Sequence, residues 1–175
     1  MQPDGILISD GGNVSSIIRR AVAEDVEAIA DLAEQKRIQY EKYQPVFHRR
    51  AENARKNHGE FLKFLITKED VIVLVAGNPG AVEGFIYANI VGAPPVYNPG
   101  GKVCMVDDFV VSRPELWPST GKVLLEQMNL EAQKVGAVLG NVVCGPLDTP
   151  KRSMLQAFGY SVASEWFVKP LPRES

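Results

Sequence analysis

The stretch Val106–Met128, "VDDFVVSRPELWPSTGKVLLEQM", runs from a strand into a helix, and its reading decides how the rest of the chain is assembled. Its first part is apolar and β-branched apart from two adjacent carboxylates, Asp107 and Asp108. Pro114 and Pro118 bracket a loop, and Leu124, Leu125 and Met128 then recur at helical spacing. Strand side chains alternate between faces, so the two aspartates reach one cleft only if a bulge intervenes. A strand that delivers the chain into a helix start also gathers unpaired N–H groups at one point, where the helix dipole favours an anion. The same prolines and hydroxyls are equally an ordinary way to begin a helix.

Upstream, "VIVLVAG" and "AVEGFIYANIVG" flank the turn "NPG" and read as a hairpin. Before them "SSIIRRA" is a short first strand, and residues 23–44 form a helix with Val26, Ile29, Ala30, Ala33 and Tyr40 on one side. Glu24 and Asp25 favour its first turn. Residues 48–66 read as a second helix anchored by Phe61, Leu62 and Leu65. Downstream, a helix over 119–136 buries Leu124, Leu125, Met128, Ala132 and Val135, and "AVLGNVVCG" is the next strand. Thr149, Pro150 and Gly159 punctuate a last helix that buries Met154, Leu155 and Phe158. "YSVASEWFVKPL" is a final strand. The order is β-α-α-β-β-β-α-β-α-β, an α/β fold with an antiparallel meander followed by a βαβ crossover. Residues 1–14 are expected to be a flexible N-terminal arm and residues 15–175 a single domain.

A length of 175 residues, 45% hydrophobic and 23% charged, suits one globular domain. The net charge of −2 offers no basic field for nucleic acid. Cys104 and Cys144 lack metal-binding spacing and read as reduced thiols, so no metal is expected. The absence of a long apolar run or a basic-flanked leader leads to the expectation of a cytoplasmic protein that does not span a membrane.

The element order and the Val106–Met128 stretch together resemble the GCN5-related N-acetyltransferase superfamily, over roughly Ile17 to Leu171. "IIRRAVAEDVEAIADL" is similar to its first strand and helix, "AVEGFIYANI" to its third strand and "PLDTPKRSMLQAFGY" to its last helix. "VDDFVV" is similar to the "LEDFFV" strand of the polyamine and thialysine acetyltransferase branch, a match that makes Asp107 the catalytic base. The resemblance implies that acetyl-coenzyme A pairs along the backbone of Phe109, Val110 and Val111. It also implies that the pyrophosphate meets Ser119, Thr120, Gly121 and Lys122. The family's Gln/Arg-x-x-Gly-x-Gly/Ala turn has here become Leu116 to Gly121, keeping only the last glycine. Asp148 stands where an asparagine often holds the pantetheine arm. Lys151 and Arg152 are placed for the 3′-phosphate. The family's usual general acid, a tyrosine of the last helix, is Leu155 here, so the thiolate either takes its proton from elsewhere, with Ser153, Cys144, Tyr97 and Tyr160 as candidates, or leaves unprotonated. Tyr40, Tyr43, Phe47 and Tyr97 are candidate walls of the acceptor site, whereas His48 and His58 read as solvated. The implied function is acetyl transfer to a small amine; the alternative is a non-catalytic acyl-coenzyme A sensor. A homodimer is expected through the final strand.

Overall fold

The computed structural model describes Ile6–Leu7 and residues 17–172. Strands β1 (Ile6–Leu7), β2 (Ile17–Arg20), β3 (Val71–Asn78), β4 (Ala81–Val91), β5 (Lys102–Val111) and β6 (Ala137–Val142) form one sheet in sequence order. Helices α1 (Val26–Tyr43) and α2 (Ala54–Leu65) connect β2 to β3, α3 (Lys122–Lys134) connects β5 to β6, and α4 (Thr149–Ala157) follows. Every neighbouring pair is antiparallel except β5 and β6, which the α3 crossover makes parallel.

The unbroken apolar run of β3 arises because both faces of the sheet are covered. Ile72, Leu74 and Ala76 pack beneath α3 and α4, while Val71, Val73 and Val75 pack beneath α1 and α2. The expected inward residues of α1 are all buried. In α3, Leu124, Leu125, Met128 and Ala132 are buried, but Val135 lies past the helix end and is half exposed. In α2, Leu62 and Leu65 anchor the helix, and Phe61 instead leans edge-on against Tyr87 near the surface.

Three expectations are corrected at the chain's margins. Within the expected arm, Ile6–Leu7 pairs with β2 as a sixth strand; the other residues of 1–14 lie outside the described residues. The second helix starts at Ala54 and not near residue 48. The final strand is absent: residues 160–172 adopt no regular structure, with Trp166 81% and Phe167 91% exposed. A strand exists only where an edge pairs with it, and β6 leaves its outer edge unpaired among the described residues.

Asp25 does more than complement a helix dipole. It is fully buried, and it accepts both Arg19 guanidinium arms at 2.6 and 2.8 Å and the Val22 and Gly80 amides at 2.9 and 3.1 Å. It thereby locks β2, the entry to α1 and the β3–β4 turn together. Burial opposes its ionisation, and Arg19, Val22 and Gly80 overcome that and hold its carboxyl below the usual range. Asp25→Ala strands a buried guanidinium and is expected to cost about 3–5 kcal/mol in a denaturant titration. Arg55→Ala, which breaks exposed pairs to Glu27 and Asp31, is expected to cost about 1 kcal/mol or less. Equal losses would refute the assignment of Asp25 as the lock.

Candidate active site

Strands β5 and β6 run together only from Lys102 to Val106, opposite Ala137 to Val142, and the Val143 amide makes one further bond to Val106 at 3.2 Å. Beyond that point β5 continues to Val111 against β4 alone, so the two parallel strands part. On the β4 side Tyr87 opposes Asp108 and Ala88 opposes Val106, leaving Asp107 as the extra residue of a bulge. The bulge does what simple alternation forbids: it turns both aspartates toward the α1–α2 face. Asp107 accepts the amide of Asn89 at 2.6 Å on that face, and Asp108 accepts Lys36 of α1 at 3.0 Å.

Their environments push the two carboxyls apart. Asp107 is exposed to solvent on one side, yet partial burial and the neighbouring Asp108 raise its pKa despite the Asn89 bond. Burial would also raise Asp108, but Lys36, His58 and Lys151 together hold it below the usual carboxylate range. His58 brings Nε2 to 3.9 Å from Asp108, and its buried Nδ1 has no hydrogen-bond partner among the described residues. Its side chain is only 9% exposed, and burial, aided by Arg37, pushes it down to about 4. The expectation that His58 is solvated is therefore corrected. His48 is half-buried, edge-on to Tyr40 and Phe47.

Lys151 departs furthest from its expected place. It is 0% exposed, so it does not meet an exterior phosphate. From the first turn of α4 it reaches into the gap between the parted strands, donating to the Phe109 carbonyl at 3.2 Å and the Val143 carbonyl at 2.9 Å. Lys36 also approaches the Phe109 carbonyl, at 3.4 Å. That carbonyl therefore points into the gap, while the Ser112 amide turns back to Glu83 of β4 at 2.7 Å. By alternation, the backbone groups of Phe109 and Val111 face the open edge and those of Val110 face β4.

The chain after β5 coils earlier than Ser119. A 3₁₀ turn (Pro114–Leu116) and a wide π turn (Trp117–Gly121) precede α3. Prolines fit such opening turns because they lack the amide that would be unpaired there. Trp117 is buried edge-on against Phe109, at 4.8 Å between ring centres. A Cβ on Gly121 would fall 2.7 Å from the Trp117 ring, so the surviving glycine is explained by this packing. Thr120 and Gly121 are buried, and Ser119 and Lys122 are exposed.

Two hollows flank this region. A smaller one of about 110 Å³ lies beside Val111, Ser112, Trp117 and Pro150, where an added strand would run along β5. A larger one of about 340 Å³ lies between α1 and the segment leading to α2, with Tyr40, Phe47, His48 and Asp108 in its wall. Lys36 borders both. Asp148 borders the smaller hollow and accepts the Tyr40 hydroxyl at 2.8 Å. Asp107, Tyr43 and Tyr97 line neither. Leu155 is buried, Ser153 is exposed, and Tyr160 is bonded to Asn129.

Sequence reasoning missed Lys36 and the burial of Lys151 and His58. One signal was available: Lys36 falls four residues from both Leu32 and Tyr40, Lys151 four before Leu155, and His58 four before Leu62, all buried positions of their helices.

No family model matches the chain, and no curated protein matches it. Solved structures do. A mutant protein from Bacillus halodurans superposes with a TM-score of 0.77 at 17% identity, covering 89% of this chain and 99% of the other. A predicted acetyltransferase from Clostridium acetobutylicum with acetyl-CoA gives 0.67 at 14% identity, over 87% and 94%. The aminoglycoside N-acetyltransferase AAC(6')-Iy in complex with CoA gives 0.63 at 15% identity, over 89% and 99%. The chain has the GCN5-related N-acetyltransferase fold. Within that fold, Phe109 and Lys151 border the gap between the parted strands, whereas Asp107 lies outside both hollows. Among the described residues, no group of His, Cys, Asp and Glu is arranged to hold a metal ion, and no helix is long and apolar enough to cross a membrane.

The buried histidine gives this acetyltransferase fold a pH dependence of known sign. Between the ordinary pKa of 6.5 and about 4, the unfolded chain binds a proton at His58 that the folded chain does not. Stability therefore falls as pH drops through that window. The stability of the protein relative to His58→Leu is expected to shrink by on the order of 2–3 kcal/mol between pH 7 and pH 4 in urea titrations. A difference that does not change with pH would show an ordinary, solvated histidine.

Proposed function

We propose that the protein is an acetyl-coenzyme A-dependent N-acetyltransferase acting on a small amine. The observation that carries this reading is the open edge of β5, where Phe109 and Val111 face a gap that leads directly to the start of α3. Backbone groups on such an edge recruit an extended, amide-bearing chain as an added strand, and the pantetheine arm is one. The turn amides of Ser119, Thr120 and Gly121, with Lys122 beside them, are the proposed pyrophosphate contacts, and the Asp148 carboxylate is a proposed acceptor for a pantetheine N–H. One solved structure of this fold with acetyl-CoA and another with CoA support the choice of donor.

The proposed base is Asp107. Its raised pKa suits it to take a proton from an ammonium or amine, whereas Asp108 is committed to Lys36 and is the weaker base of the pair. The acceptor is proposed to approach on the α1–α2 face, past Tyr40 and Phe47. Isothermal titration is expected to show acetyl-coenzyme A binding, and an amine panel that includes aminoglycosides and polyamines is expected to reveal turnover. Asp107→Asn is expected to lower kcat roughly 10²–10⁴-fold with donor binding retained. An absence of acetyl-coenzyme A binding at high protein concentration would overturn this function.

A second reading, a non-catalytic acyl-coenzyme A sensor, is favoured by Leu155 in place of a hydroxyl and by Asp107 lying outside both hollows. Binding without turnover on the whole panel would select it.

We also propose a cytoplasmic homodimer. Both cysteines are unbridged, which supports a reducing compartment. The unpaired edge of β6 and the exposed apolar segment 160–172 support pairing of that segment with β6 of a second copy. Light scattering is expected to give the dimer mass, and truncation after Gly159 the monomer mass. A full-length monomer would refute the dimer.

A further inference from the structure

Resting on the acetyltransferase reading, we propose that Lys151 is the proton donor to the departing thiolate of coenzyme A. The buried face of α4 carries Met154 and Leu155 and offers no hydroxyl. One turn earlier the same face carries an ammonium, wholly enclosed in the gap where the two strands part. Phe109 and Trp117 present their rings to it at 5.1 and 5.5 Å. Among the described residues, its three N–H groups have two hydrogen-bond acceptors, the Phe109 and Val143 carbonyls, and no carboxylate bonded to them. Enclosing a charge in this way is costly, and a neutral donor would bridge two carbonyls more cheaply. The cost is explained if the proton is used.

The gap beside Phe109 is where the donor's thioester lies when its arm runs along the open edge of β5. The amine nitrogen attacks the thioester carbonyl carbon, the C–N bond forms and the C–S bond breaks. Sulfur leaves with the electron pair and takes a proton from Lys151, which becomes a neutral amine. Asp107 takes the proton lost by the acceptor nitrogen, and exchange with solvent restores both groups. The products are the acetamide and the free thiol.

The surroundings suit this transfer. Burial, and then the Lys36 charge from α1, push Lys151 down to about 7, against the pull of Cys144 beyond β6, Asp148 ahead of α4 and Asp108 on β5. An alkyl thiol holds its proton to about pH 8.5, so the ammonium gives its proton downhill to the thiolate.

The test uses two acetyl donors on the full chain, with Lys151→Arg, which keeps the cation and the donors but does not release a proton near neutrality, and Lys151→Met. With acetyl-coenzyme A, both variants are expected to lose about 10²-fold or more in kcat and to lose the decline of kcat above pH 7. With S-acetyl thionitrobenzoate, whose thiolate leaves without a proton, the loss is expected to be a few-fold at most. Thermal melts and acetyl-coenzyme A titrations on each variant separate this loss from unfolding. Equal losses with both donors, in variants that fold and bind, would overturn the proposal and leave Lys151 a strap between strands. If neither variant folds, the wild-type pH profile decides: a kcat that does not decline above pH 7 with acetyl-coenzyme A overturns it. Wild-type protein that binds acetyl-coenzyme A and turns over neither donor sinks the acetyltransferase reading itself.

Discussion

The separation of β5 from β6 after Val106 is the constraint on which the site depends. Two parallel strands that stayed paired would satisfy each other's backbone groups and leave nothing to bind. Parting them exposes the carbonyl of Phe109 and the edge at Val111 inside the molecule, where an unmet polar group costs free energy. The chain meets this cost with side chains from the flanking helices. Lys151 spans from the Phe109 carbonyl to the Val143 carbonyl, and Lys36 adds a longer contact to Phe109. The Asp107 bulge belongs to the same economy, because it adds one residue to β5 at the point where the strands diverge. Sheet and site are therefore one construction.

That construction concentrates charge. Lys36, Asp108, Lys151 and His58 surround the bulge from α1, β5, α4 and α2. Asp108 faces Lys36, Lys151 and a histidine that burial keeps neutral at pH 7, with Asp148 as a second carboxylate acting on Lys151. Asp108 is consumed by this balance, and Asp107, one residue away and bonded to Asn89, is left with the opposite character. Two adjacent residues of the same type thus acquire different chemistry from one backbone irregularity. The hydrophobic clusters on the two sheet faces hold it in place, with Val106 and Phe109 in one and Tyr87 and Val110 in the other.

Much of this was legible in the sequence, and the reasons for the rest are physical. Periodicity found α1, α3, α4 and the strands β3 to β6, since burial on two faces leaves a strong pattern. The final strand failed because β-propensity describes a segment, whereas a strand exists only once it is paired: "YSVASEWFVKPL" has the composition, yet it does not join the outer edge of β6, which is left unpaired among the described residues. The bulge was named as the condition for both aspartates to share a face, but the pairing that creates it involves Tyr87 and Ala88, about twenty residues away, and leaves no local mark. The sequence puts Lys151 on the right helix and at the right turn, but points it to an exterior 3′-phosphate where the structure buries it. Its spacing from Leu155 carried the opposite message. A charged residue on an apolar helix stripe is evidence of a buried charge before it is evidence of an exterior ligand.

The departure of Leu116 to Gly121 from the phosphate turn that the family resemblance implies follows from the same distinction between backbone and side chain. An added strand is recognised by N–H and C=O groups, so Phe109 and Val111 place no demand on their own side-chain identity beyond core packing, and both side chains serve the core. A phosphate-binding turn is also made of amides, but the chain must come close to the ligand, and glycine permits that approach. Here the Trp117 ring occupies the space that a Cβ on Gly121 would need, and both residues belong to the same π turn. The glycine serves an internal neighbour. Fold similarity at 14–17% identity is what such a division produces. Backbone geometry is held by packing from both sides of the sheet, and the residues that decorate it are free to change. Chemistry on this scaffold then rests on the few ionisable side chains whose positions the parted strands dictate.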